Sequence, residues 1–139
     1  MLRRISGAVI LAFAGAGAAL ADPTGTWREK DGGTIQISHC GEGYCATIAT
    51  VQPPLDPATG RPWTDKHNAD PSRRSRPLVG VQVLTATAPA GPGKWSGTLY
   101  DSDRGHTLAG NLVELGPDTI KIEGCLLGLC GGEELRRVR

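Results

Sequence analysis

The chain reads as an all-β domain, an eight-stranded antiparallel up-and-down barrel, on three observations. From residue 22 onward no window sustains a helical period. Short runs of alternating apolar and polar residues recur every ten residues or so, and most connections between them are hairpin-length. A single antiparallel sheet of that size is stable in water when it closes or folds over, because closure removes exposed edges. A two-sheet sandwich is the alternative.

The elements follow in order. Residues 25–29 form a first strand with Trp27 as its large side chain, and Ile35 and Ile37 alternate with polar neighbours in a second. Gly41-Glu42-Gly43 supplies a turn and residues 44–51 return as a third strand. Pro53, Pro54, Pro57, Pro62 and Pro71 hold residues 52–75 outside regular structure. Residues 78–87 are the longest β-branched run, ended by residues 89–93. Residues 95–100 and 107–115 flank Asp101-Ser102-Asp103-Arg104-Gly105, a hairpin signal. Gly116-Pro117-Asp118 turns the chain into residues 119–124, and residues 134–138 make a short final strand.

Residues 1–21 read as a Sec-type export leader. Arg3 and Arg4 form a basic head, residues 8–20 are apolar or small, and Ala19-Leu20-Ala21 offers the small-x-small cleavage pattern. That apolar run is too short for a hydrocarbon core, which needs roughly 20 residues. The expected mature domain is residues 22–139, periplasmic or secreted, with no membrane span. Without Arg3 and Arg4 it carries 13 basic and 14 acidic residues, a formal charge of −1 that steers it towards neither nucleic acid nor an anionic membrane. Met1 and Phe13, the sole Met and Phe, lie in the leader. The core is therefore aliphatic side chains plus Trp27, Tyr44, Trp63, Trp95 and Tyr100.

The cysteines come in two pairs of equal spacing. Cys40 and Cys45 bracket a tight turn, which brings them within disulfide reach; Cys125–Cys130 follows by elimination. A zinc site built on His39, Cys40 and Cys45 is the rival, but its spacing lacks the usual two-residue gap and export favours oxidation. No metal and no cofactor are expected. The long loop concentrates polar groups at Asp65, Asn68 and Asp70, with Arg74 and Arg76 able to pair with them or to dock an acidic ligand group. The alternating acidic pattern of a calcium loop breaks at His67 and Ala69, and Asn68 and Asp70 suit side-chain-to-backbone turns before Pro71. Asp101 and Asp103 read as turn formers. His39, His67 and His106 are scattered, and no motif arranges a nucleophile with a base and an acid. No catalytic residues are assigned and no enzyme activity is expected.

Gly25-Thr26-Trp27 on the first strand and Arg137 on the last resemble the lipocalin signature, in which the guanidinium lies over the indole and closes one end of the barrel. Asp65 and Asn68-Ala69-Asp70-Pro71, then Arg74 and Arg76-Pro77-Leu78-Val79-Gly80, are similar to the middle block of the exported bacterial family called domain of unknown function 2147. Residues 95–101 with Gly105-His106-Thr107, and Glu123-Gly124 with Leu135-Arg136-Arg137-Val138, resemble its later blocks. Leu135 stands where that family usually has Trp, and Ser102 where it often has Pro. The resemblance implies a lipocalin-like or calycin-like barrel with no established activity.

The expected function is therefore a carrier or sensor holding a small apolar or amphipathic molecule, acting as a monomer. Ala46, Gly97 and Gly110 are expected to leave interior volume. Trp27, Trp95, Tyr100 and Arg137 are the candidates for pocket or barrel floor. The alternative is an envelope interaction or stress-response module using residues 52–75 as its contact surface, and an envelope hydrolase using His67 and Asp70 comes third.

Overall fold

A computed structural model describes residues 22–139; the export leader expected in residues 1–21 lies outside them. The eight strands are β1 (Gly25–Arg28), β2 (Thr34–Cys40), β3 (Gly43–Thr50), β4 (Gln82–Pro89), β5 (Lys94–Asp101), β6 (His106–Gly116), β7 (Thr119–Leu126) and β8 (Leu129–Arg137). Each pairs antiparallel with the next, and β8 returns to β1, so the sheet is a closed barrel. The sandwich alternative is excluded by that seam.

Most strand boundaries lie within two residues of the sequence reading, and two strand starts differ by more. β4 begins at Gln82, not residue 78, because Leu78–Val81 is a turn: the Val81 amide donates to the Leu78 carbonyl and Gly80 adopts φ +92°. β8 begins at Leu129, not residue 134. The β7–β8 hairpin turns on Leu127 and Gly128, both with positive φ (52° and 78°), the conformation that matches the twist of two flanking strands. A leucine there and the glycines at 131 and 132 mask the strand signal.

The barrel has a closed and an open end. β1 starts at the closed end, together with the β2–β3, β4–β5 and β6–β7 connections. Along the strands, alternation sends Trp27, Ile35, Ile37, Ala46, Leu84, Leu112 and Ile120 inward, and these are fully buried there. Across the seam Trp27 is in register with Arg137, whose guanidinium carbon lies 4.4 Å from the indole centroid. Arg137 also donates to the carbonyls of Pro117, Thr24 and Asp22 (3.0, 2.8 and 3.0 Å), while the Trp27 indole N–H donates to Pro23 (2.8 Å). One planar cation thereby ties the segment before β1, the last strand and the β6–β7 turn into a single floor.

Arg137→Ala should lower stability by about 2–3 kcal/mol, from three lost backbone bonds and the indole contact. Arg137→Lys should recover less than half of it, because an ammonium cannot span three carbonyls in one plane. Urea unfolding of the three proteins checks both.

Candidate functional site

Above the floor the barrel interior is not filled. A cavity of ≈ 560 Å³ opens at the other end. Its deeper wall is apolar, from Ile35, Ile48, Leu99, Leu108, Ile122 and Leu135. Its rim is charged. The β1–β2 turn contributes Glu29 and Asp31, the end of β5 Asp101, the β5–β6 turn Asp103 and Arg104, and β8 contributes Glu133. Arg104 is paired with Asp101 at 2.7 Å. Among the described residues Glu29, Asp31, Asp103 and Glu133 have no ion pair.

Glu29 feels this most. Burial first, then Asp31, Glu133 and Asp103, push its carboxyl up to about 7. Asp101 goes the other way: burial opposes ionisation, but Arg104 and the backbone amides of Arg104 and Asp103 outweigh it and hold the carboxyl below its usual range.

The long connection between β3 and β4 lies beside this open end and is pinned by one buried carboxylate. Asp65 is 0% exposed. Its Oδ2 accepts from Arg76 (Nε 2.9 Å, Nη2 2.8 Å) and Asn68 (2.8 Å), and its Oδ1 accepts from the Tyr100 hydroxyl (2.6 Å). Burial alone raises the Asp65 carboxyl, yet the donors from Tyr100, Asn68 and Arg76 leave it below its ordinary value. Burial and the Asp65 bond push the Tyr100 phenol up to about 12. Gly105 completes the dock. It has φ +79°, and a Cβ there would fall 1.6 Å from the His67 carbonyl oxygen, so glycine alone lets loop and hairpin meet.

The polar loop candidates thus fall into two roles. Asp65, Asn68 and Arg76 share the buried cluster with Tyr100. Arg74 instead donates to the Asn68 carbonyl (2.8 Å), and Asp70 caps the 3-10 turn Pro71–Arg73 through the amide and hydroxyl of Ser72. Of the aromatic and floor candidates only Tyr100 lines the cavity. Trp27 and Arg137 form the closed floor, and Trp95 packs edge-on against Tyr44 at 4.8 Å. Cys40–Cys45 and Cys125–Cys130 are disulfides, so neither pair offers thiolates to a metal.

Ala46, Gly97 and Gly110 do not leave the interior volume expected of them. None lines the cavity. Ala46 belongs to the packed floor, and a Cβ at Gly97 would lie 1.7 Å from the Thr85 carbonyl oxygen. Gly97 serves close approach of β4 to β5. The carboxylate rim escaped the sequence reading because its members sit on three separate segments that only barrel closure gathers.

The family model described as "Uncharacterized protein conserved in bacteria (DUF2147)" matches residues 25–137, and the chain belongs to that family. Among solved structures the chain is similar to a Helicobacter pylori protein described as "Protein HP1028 from the human pathogen Helicobacter pylori belongs to the lipocalin family". The likeness has a TM-score of 0.70 at 15% identity, covering 86% of this chain and 84% of that one. It shows a shared lipocalin-like fold. No curated protein matches the sequence.

Two outcomes follow from the site's geometry. A carboxyl whose pKa is raised on folding binds its proton more tightly in the folded state, so its contribution to stability falls as pH climbs from about 4.5 to about 7 and is level above. Glu29→Gln should therefore stabilise the protein by about 1–2 kcal/mol at pH 8, the full shift being discounted for partial exposure, and by nearly nothing at pH 4.5. Thermal unfolding at the two pH values measures the difference, and a pH-independent gap would refute it. Asp65→Ala should cost about 2–3 kcal/mol at neutral pH by stranding Arg76 and the Tyr100 hydroxyl. Limited proteolysis should then cut within residues 52–75 first.

Proposed function

We propose that this member of the DUF2147 family is an exported carrier or sensor that holds a small amphipathic molecule in its barrel. The observation that carries the reading is the ≈ 560 Å³ cavity, apolar in its depth, polar at its rim and sealed at the far end by Trp27 and Arg137. That volume lies within the range of small-molecule sites. The lipocalin-like fold supports the same reading. The disulfides fit an oxidising compartment such as the periplasm or the extracellular space, in keeping with the leader expected in residues 1–21. The reading is of a binding protein and not an enzyme: the Asp70 carboxylate is occupied in capping its own turn, which supports a structural role over a general base.

A second reading has one observation in its favour. Residues 52–75 are fixed to the barrel by buried Asp65 and carry Leu55 half exposed, which suits a preformed contact surface for an envelope protein. Loss of partner recovery on replacing that loop would favour it.

Native mass spectrometry of protein taken from the cell envelope tests the carrier reading. A bound mass that disappears when Leu99 and Ile122 are both replaced by Trp, which fills the cavity, is the expected result. A ligand-free mass that stays so after incubation with membrane and medium extracts would sink it.

A further inference from the structure

We infer that the barrel cavity selects positively charged amphiphiles, taking the apolar part between Leu99, Ile122 and Leu135 and an ammonium-type group between Glu29 and Glu133 at the rim. The inference rests on the carrier reading and adds the chemical class of the ligand. Two features of the same cavity carry it.

The first is its polarity gradient. Depth and rim differ so sharply that a wholly apolar ligand would bury its outer end against carboxylates, whereas an amphiphile matches both zones. The second is the sign of the rim. Five carboxylates and one guanidinium line it, and that guanidinium is already engaged by Asp101. Asp31 and Glu133 each use one oxygen on local backbone amides, of Gly33 and Lys30 respectively. These bonds orient the two carboxylates without neutralising them. Glu29 has neither a cation nor a hydrogen-bond donor among the described residues, and it stands where the fields of Asp31, Asp103 and Glu133 add.

Folding gathers these like charges around a wall of low dielectric, which strengthens their mutual repulsion. A bound cation relieves it, whereas a bound anion adds a further like charge to a site without a free partner. The neutral ligand gains neither way. Affinity should therefore rank cation, neutral, anion for one constant tail, and salt should weaken only the cation strongly.

The test uses the disulfide-bonded mature protein at pH 8 and three ten-carbon probes below their aggregation concentrations: n-decylammonium, decanol and decanoate. Isothermal titration should find n-decylammonium at least tenfold tighter than decanol and decanoate weakest. Glu29→Gln combined with Glu133→Gln should bring n-decylammonium to within threefold of decanol measured on the same variant. The wild-type ranking needs no variant to fold. Equal binding of the three probes, or tighter decanoate, would overturn the charge selection and leave the carrier reading standing. Binding of none would overturn both.

Discussion

The structure depends on one closure, the meeting of β1 with β8. A sheet of eight strands left open would expose two edges, and β1, only four residues long, has little pairing of its own to offer. The seam is held chiefly by side-chain chemistry. Trp27 gives β1 a large surface to bury, and Arg137 covers that surface while satisfying carbonyls from the N-terminal segment and the β6–β7 turn. Because the guanidinium is planar and multidentate, one residue fixes three backbone segments at once.

That floor also decides where the barrel is solid and where it is hollow. Large inward side chains crowd around Trp27, and the interior there is filled. Towards the other end the inward positions include Gly124 and Gly131, and aliphatic side chains line the walls around the cavity. The loop between β3 and β4 is long enough to wander, yet Asp65 prevents it. A fully buried carboxylate with donors from loop and barrel fixes their relation strongly, since losing any donor leaves charge poorly compensated. Tyr100 joins the two systems: the residue is among those lining the cavity and its hydroxyl holds the loop anchor.

Much of this was legible in the residues. Alternation around Trp27, Ile35 and Ile37 marked the inner face, and the spacing of turn residues gave the strand count and hence the closed barrel. The β8 boundary was not legible, since a positive-φ Leu127 followed by glycines carries no strand alternation. Glycines at 97 and 110 invited a reading as spare volume, although their neighbours' backbones occupy that space. The charged rim lay beyond local reading altogether. Glu29 falls at the end of the first strand as read from sequence, Asp101 and Asp103 read as turn formers, and Asp31 and Glu133 carry no motif of their own. Their common field exists only once residues more than a hundred positions apart share one opening.

The same long separation bears on how the molecule assembles. The pairings from β1 through β8 join strands adjacent in chain order, whereas the bond from Arg137 to Thr24 spans 113 positions. The cavity is therefore complete only when the first and last strands meet. Ring completion carries the largest loop-closure cost, and any molecule held only by the finished vessel would act as a brake on its reopening.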